Sequence, residues 1–564
     1  MTAAAPSSAS NRWLFGPVPD LLFGCGLAYA ALFVVFTVNG DSMPSIIGPG
    51  LLPILSVIGG TPHYGATLLR VYGERESRQK YFFFAVVATA VVWSLFVVGL
   101  YVAAIGSILL SLYLTWSPWH YTGQNYGIAL MFLGRRGVKV ERLEKRLIYS
   151  SFLLSYALVL LSIHGVMPGA DYAPIQYPGT YRFLTLGLPA GFVTPAFAAA
   201  ALAYLSLVVV TFALLLRRAS LRDLGPTAAL FLTQALWFSV PSIARHYGVL
   251  GDVKPFSIEH VAYFFAWVAF GHALQYLWVT TYYAQGRRPA GEQLRYYGMC
   301  LAAGTVLWGV PGLIFRGPLA PPTGEASVFV MVMAVANIHH FILDGAIWKL
   351  RDGRVARVLL RATPRFDPVP EAPRRSLFRP IVAVVGGFLA ASTLATLLIG
   401  EFWFRHALDA GNLSGAHSAL RALSFIGRDD AAQHRRLAQA ARGRGDLGLA
   451  VAEYQVSIAR SPTVASWVGL GQTFEKANQW ERAAEAYAEV AALDPKSTAA
   501  RFSAGVAWRR AGQPAKAIPV LEQALALDPE NKLIRSVLDL ARRDAEESRG
   551  PSAEREIEGG KAAL

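Results

Sequence analysis

Residues 327–349 read SVFVMVMAVANIHHFILDGAIWK. About 20 predominantly apolar residues in a row are what an α-helix needs to cross the hydrocarbon core of a bilayer. Within the run, Asn337, His340, Asp344 and Trp348 recur at intervals of three and four, which places them on one helical face. His339 points about 100° away from that face, so His340 is the inward member of the pair. Ionisable groups at such a depth are costly and mark a working site by default. The stretch therefore predicts one helix of a bundle whose interior is polar.

The pattern repeats on both sides. Apolar runs at 18–38, 50–71, 81–104, 107–133, 146–166, 190–216, 226–244, 259–283, 294–316, 327–349 and 380–401 predict about eleven spans. Only 16% of the chain is charged, against about 25% in an average soluble domain, and no apolar run of this length follows residue 410. The expected organisation is all-α: an N-terminal tail (1–17), a polytopic membrane bundle (18–401), a connecting helical segment (402–430), a soluble helical domain (431–546) and a disordered tail (547–564). The uncharged start, Met1 to Ser10, followed by Arg12 and Asp20, fits a retained anchor better than a cleaved signal.

The net charge of +15 would suggest a nucleic-acid partner in a soluble chain. Here the basic residues gather in short loops after even-numbered spans: Arg75, Arg78 and Lys80; Arg135 to Arg146; Arg217, Arg218 and Arg222; Arg287, Arg288 and Arg295; Lys349 to Arg361. That distribution reports topology, with no nucleic acid implied. It places the N-terminus in the cytoplasm and, with an odd span count, the C-terminal domain across the membrane, in the periplasm of a Gram-negative cell. Cys25 and Cys300 are too few for a disulfide framework. The absence of GxxxxGK[ST] and HExxH motifs argues against nucleotide-driven transport and zinc proteolysis.

Residues 465–496, ASWVGLGQTFEKANQWERAAEAYAEVAALDPK, place Trp467, Leu470, Gly471, Phe474, Ala483, Tyr487 and Pro495 on a repeat of about 34 residues. The next unit keeps phase with Gly505, Trp508, Ala517, Leu521, Ala524 and Pro529, and a weaker one precedes with Ala450, Tyr454 and Pro462. The segment resembles tetratricopeptide repeats, with Leu533 to Arg543 as capping helix. The resemblance implies a groove for a protein or peptide partner; a stabilising cap on the membrane part is the plainer alternative.

Eight of the eleven histidines fall in or beside the spans. His63, His120, His272 and His340 each lie about thirteen residues below the outer edge of an even-numbered span, hence near one depth. Gln124 follows His120 by four, Gln275 and Tyr276 follow His272 by three and four, and Pro62 with two glycines precedes His63. Converging imidazoles suit iron, copper or zinc. Asp344, His339, Gln124, Asn337, Gln275 and Tyr276 are candidates for orienting those ligands or replacing one of them. Helix–helix hydrogen bonding without metal is the bland reading. His164, His246, His260 and Glu259 fall near the outer face as interfacial polar residues, while His406, His417 and His434 are expected at the surface of the soluble domain.

The PHYGA around His63 and the YFFAWVAFGHALQ around His272 resemble segments of the Brp/Blh-type membrane carotene dioxygenases. The resemblance covers about a tenth of the chain. It implies non-haem iron, with His63 and His272 as ligands, and a hydrophobic, lipid-like substrate. That family's paired histidines in one late helix are not reproduced at His272, where Gln275 and Tyr276 stand. Three alternatives stay open: a b-haem redox protein, a multi-span lipid-linked glycosyltransferase whose first outer loop here carries only Asp41, and a non-enzymatic assembly factor anchored by its spans.

Overall fold

The computed structural model describes residues 12–38, 51–73, 75–165, 181–249, 261–285, 292–322, 324–348, 358–360 and 378–548. Asp41, Glu259, His260, Arg287, Arg288, the loop 349–357 and the tail beyond Ser548 lie outside the described residues. Among those described every named element is helical; the only β-type pairing is an isolated bridge between Gly165 and Leu188. The chain divides into two compact units, Met1–Leu394 and Ala395–Leu564, a few residues earlier than the expected boundary at 401.

In the first unit, α1 (Pro17–Gly24), α2 (Leu27–Val38), α3 (51–72), α4 (Phe83–Tyr101), α5 (Ala103–Arg135) and α6 (Arg142–His164) come first. They are followed by α7 (Ala190–Leu216), α8 (Leu221–His246), α9 (Val261–Gln285), α10 (Gln293–Ile314) and α11 (Glu325–Ile347). Then α12 (Arg379–Asp409) leads into the second unit. Among the described residues, seven helices are long and apolar enough to cross a membrane: α4, α6, α7, α8, α10, α11 over Ser327–Ile347, and α12. The pair α1 and α2, bent by 64°, makes an eighth if counted as one. The three expected runs not among them are α3, α5 and α9. These are the helices that carry His63, His120 and His272, and their Gly, Pro, Gln, Asn and Tyr residues dilute the apolar pattern.

The bend between α1 and α2 has a local cause. Gly26 adopts φ +77°, and a Cβ there would lie 2.7 Å from Thr233 Cγ2, so only glycine fits. Asp20 holds the turn, its carboxylate accepting from the Leu14 N–H at 2.6 Å, the Phe15 N–H at 3.1 Å and the Trp278 indole N–H at 2.9 Å.

The centre of the unit is α11, with 78% of its apolar stretch buried, the largest share of the seven. It packs on α3, α4, α5 and α10. The seam between α3 and α10 is the tightest backbone approach near the site. A Cβ on Gly65 would meet the Cys300 carbonyl oxygen at 1.8 Å, and one on Gly304 would meet the Thr61 carbonyl oxygen at 2.0 Å. Small residues facing each other let helix backbones touch where a larger side chain would hold them apart.

The second unit is a sequence of helices in which each packs on the next: α13 (Leu413–Phe425), α14 (Ala431–Arg444), α15 (Leu447–Arg460), α16 (Val464–Lys476), α17 (Trp480–Leu493), α18 (Thr498–Arg510), α19 (Pro514–Leu527) and α20 (Lys532–Glu547). Asn412, Asp430, Asp446, Thr463, Ser497 and Asn531 cap their helices by accepting from backbone N–H groups. The repeat positions read from the sequence are packing positions. Tyr487 lies where a Cβ on Gly471 would be, at 2.8 Å, Leu521 does the same at Gly505 at 2.5 Å, and Ala483 and Ala517 are fully buried. Trp467 and Trp508 lean partly buried on that core. The last helix reaches Glu547, longer than the expected Leu533 to Arg543.

Candidate metal centre

His63 is delivered by α3. A π-turn, Ser56–Gly60, opens the helix just ahead of Thr61, Pro62 and His63. The Gly60 carbonyl accepts from His63 Nδ1 at 2.5 Å. With the proton on Nδ1, Nε2 keeps its lone pair, and it is buried without a hydrogen-bond partner. From α9, His272 stacks on Tyr121 with ring centroids 4.1 Å apart, and neither of its ring nitrogens has a partner. From α5, His120 stacks on Phe341 at 4.3 Å; its Nε2 is unpartnered by hydrogen bonding and lies 3.8 Å from Asp344 Oδ2. From α11, His340 Nε2 lies 3.3 Å from the same oxygen.

The four rings form one cluster. Centroid separations are 4.6 Å for His63 and His340, 5.0 Å for His120 and His272, 5.2 Å for His120 and His340, 5.6 Å for His63 and His272, and 6.3 Å for His272 and His340. Two sets bring their ligand-capable atoms within 4.8 Å of one another: His63, His272 and His340, and His120, His340 and Asp344. Donors on opposite sides of a bound transition metal are about 4.2 Å apart, twice a metal–nitrogen bond of about 2.1 Å. Neighbouring donors around a tetrahedral ion are closer, about 3.4 Å apart; His340 Nε2 and Asp344 Oδ2, at 3.3 Å, already have that spacing, and His120 Nε2 and Asp344 Oδ2, at 3.8 Å, are near it.

Asp344 is oriented by a chain of single protons. Trp348 Nε1–H donates to the Tyr276 oxygen at 2.9 Å, and Tyr276 O–H donates to Asp344 Oδ1 at 2.7 Å. Thr67 O–H donates to the same Oδ1 at 2.9 Å. With its only proton there, the Thr67 oxygen accepts from the Tyr276 O–H, 2.6 Å away and shared with Asp344, and from His340 Nδ1, 3.0 Å away. His340 therefore carries its proton on Nδ1, which leaves Nε2 and Asp344 Oδ2 facing the cluster with free lone pairs. The arrangement is the usual one behind a metal-binding imidazole, in which the second nitrogen is fixed by a neighbouring acceptor.

The remaining sequence candidates are placed as follows. Tyr276 and Asp344 belong to the cluster. Gln124 donates to the His272 carbonyl at 3.2 Å and to Gln275 Oε1 at 2.9 Å, and Gln275 in turn donates to the Gly24 carbonyl at 3.3 Å. Asn337 accepts from the Tyr64 hydroxyl at 2.8 Å, and the Tyr64 ring lies against His63 and His340. His339 is not brought in; its Nε2 meets Thr89 Oγ1 at 2.9 Å, on α4. His246 stacks on Phe197 at 3.9 Å, and His164 meets Thr115 at 2.9 Å, each apart from the cluster. Thr67 and Tyr64 were not singled out from the sequence. Thr67 follows His63 by four and so shares its helical face, which was the available signal.

A cavity of about 350 Å³ adjoins the cluster, lined by His120, Tyr276 and Asp344 and walled by Trp116, Phe341 and Trp348 among others.

In the second unit His434 departs from expectation. It is buried, 6% exposed, not a surface residue. Its Nδ1 meets Glu453 at 2.5 Å and its Nε2 meets Asp429 at 2.8 Å, with Arg460 on Asp429 at 2.6 Å and His417 on Glu453 at 2.9 Å. Burial pushes the His434 imidazolium down, but the hydrogen bonds and charges of Glu453 and Asp429 outweigh it and hold the pKa above the ordinary value. His406 is exposed and His417 partly so, as expected.

Residues 403–465 and 468–532 match the tetratricopeptide repeat family. The match begins at 403, so the segment expected as a connector, 402–430, belongs to the repeats. Among solved structures, one named "MamA MSR-1 C2" is similar at 20% identity, covering 30% of this chain and 98% of that one, with a TM-score of 0.23. No curated protein matches the chain.

Proposed function

We propose that this chain is a multi-span membrane protein that holds non-haem iron among His63, His120, His272, His340 and Asp344 and performs oxidative chemistry on a hydrophobic small molecule. In this reading its tetratricopeptide unit docks a protein or peptide partner. The observation that carries the reading is the convergence, from four separate helices, of buried imidazole nitrogens that have no hydrogen-bond partner. A buried polar atom left unpartnered costs about 1–3 kcal/mol, and four imidazoles in one place each offer such a nitrogen to a common partner: Nε2 of His63, His120 and His340, and one of the two ring nitrogens of His272.

The donor set favours iron. His120, His340 and Asp344 make the two-histidine, one-carboxylate set associated with non-haem iron, and such an ion, when bound with open positions, supplies oxygen-activating chemistry. The spacing favours an ion over haem. Rings packed edge to face at 4.6 to 6.3 Å leave no slot between any two of them for a flat macrocycle. The chain's own residues do the positioning: Gly60 and Thr67 fix the imidazole tautomers, Tyr276 and Thr67 aim the carboxylate, and the aromatic cavity walls keep water away. The resemblance of the His63 and His272 segments to membrane carotene dioxygenases points the same way. The basic loops support a cytoplasmic N-terminus and a periplasmic repeat unit by the positive-inside rule.

The test is elemental analysis and an absorption spectrum on detergent-purified full-length protein, with His63→Ala and His272→Ala alongside. About one iron per chain without a Soret band, lost in both variants, is the expected result. A Soret band would replace iron with haem. No metal would leave the second reading, a membrane-anchored scaffold whose active part is the repeat unit, which the family match at 403–532 favours.

A further inference from the structure

The cavity beside His120 and Asp344 is bordered by glycines. On α5, Trp116, Trp119, Gly123, Gly127 and Met131 line it in one stripe. At about 1.5 Å per residue this stripe runs about 22 Å along the helix, so the cavity is a slot rather than a bowl. Across it α11 contributes Phe341, Gly345 and Trp348. Gly123 and Gly345 are exposed although each lies beside a residue of the cluster, Gly123 one turn from His120 and Gly345 next to Asp344. Trp119 is 38% exposed at the same level. The slot thus opens through the side of the unit, just past the middle of α5 and beside the last turn of α11. A Cβ on Gly123, Gly127 or Gly345 would meet nothing within 4 Å. These glycines therefore do not serve close helix packing, as Gly65 and Gly304 do; they leave room.

We propose that Gly123, Gly127 and Gly345 frame a lateral portal that admits a neutral, single-chain hydrocarbon from the bilayer and sets the girth of what can reach His120 and Asp344. This rests on the membrane and metal reading above. The commitment to a neutral chain comes from the lining. Among the described residues that line it there is no Lys or Arg to receive a phosphate or carboxylate head, the polar groups include His120, Gln124, Tyr276 and Asp344, and the Asp344 carboxylate would repel an anionic end. The commitment to a single chain comes from the slot's length against its volume of about 350 Å³, near the small end of ligand pockets at roughly 300–1,000 Å³.

The experiment uses full-length protein in lipid nanodiscs and two photoreactive probes, a long-chain alcohol bearing a mid-chain diazirine and the fatty acid of the same chain. Labelled sites are mapped by mass spectrometry. The alcohol is expected to label residues 116–131 and 341–348, and the fatty acid at least fivefold less. Gly123→Leu with Gly127→Leu should reduce that labelling at least tenfold, whereas Gly298→Leu, at an exposed glycine of α10 with equal space around it, should leave it unchanged. Labelling confined to other surfaces, or unchanged in the double variant, overturns the portal; stronger labelling by the fatty acid overturns the neutral occupant. Metal content is measured on the same samples. A portal labelled in protein that binds no metal keeps this inference and removes the oxidative one, and iron retained in an unlabelled double variant shows that the substitutions left the fold intact.

Discussion

Thr67→Val is the sharpest probe of the cluster. Valine matches threonine in shape, so packing is preserved while one hydroxyl is lost. That hydroxyl donates to Asp344 Oδ1 at 2.9 Å and accepts from His340 Nδ1 at 3.0 Å. Tyr276 still donates to Asp344 Oδ1, so the carboxylate keeps one of its two tethers, whereas the His340 Nδ1–H loses its only partner among these contacts. A hydrogen bond to a charged group contributes about 1.5–3 kcal/mol, and losing a residue that orients a metal ligand weakens binding by about 10–100-fold. The two figures agree, since tenfold corresponds to about 1.4 kcal/mol. The expected outcome is a 10–100-fold rise in the Kd for Co²⁺, titrated into metal-free protein in competition with a chromophoric chelator. Thr67→Ser, which keeps the hydroxyl, should return Kd to within about threefold of wild type. If valine binds Co²⁺ as tightly as threonine, or serine fails as badly as valine, the proton chain described for His340 and Asp344 is wrong.

Gly65→Ala places a methyl 1.8 Å from the Cys300 carbonyl oxygen, and backbone cannot swing aside; destabilisation of about 1–3 kcal/mol should appear as a lowered melting temperature in detergent, with Gly312→Ala, in open space on the same α10, unchanged. His339→Gln should keep the bound metal that His340→Gln loses, read by elemental analysis, because His339 faces Thr89. For His434, whose folded pKa is raised, the stabilisation is complete below the unfolded value of about 6.5 and is lost as pH rises through the folded value. Hydrogen exchange in α14 and α15 should therefore accelerate with pH beyond its intrinsic dependence, and His434→Gln should flatten that excess.

The sequence disclosed these features unevenly, for physical reasons. Helical geometry alone separated His340 from His339, because 100° per residue turns neighbours to different partners, and the structure places Thr89 beside one and Asp344 beside the other. The repeat positions were legible since each small residue answers a large one at a fixed spacing, as Gly471 answers Tyr487. His434 was misread because its burial is made by Glu453, which arrives from the following helix with no signature at His434 itself. Thr67 was passed over because a lone hydroxyl among Ala66, Leu68 and Leu69 carries no pattern. The apolar runs expected at α3, α5 and α9 fall short of the apolarity of the other seven helices, because the residues that build the cluster replace apolar ones there.

The π-turn at Ser56–Gly60 behaves like a swivel in a drive shaft. It takes in one residue more than an α-turn, so the helix before it and the helix after it are offset by about 100° and need not turn together. The after-part is clamped, Gly65 against Cys300 and Thr61 against Gly304, which locks His63 in place. Gaining or losing a residue ahead of Gly60 would spin the outer segment Leu51–Leu55 and leave the imidazole where it is. That spin would cost the packing of Leu51 and Leu55 on the cluster around Trp237 and Trp267, so a change of length there should register as lost stability before it registers at the imidazole.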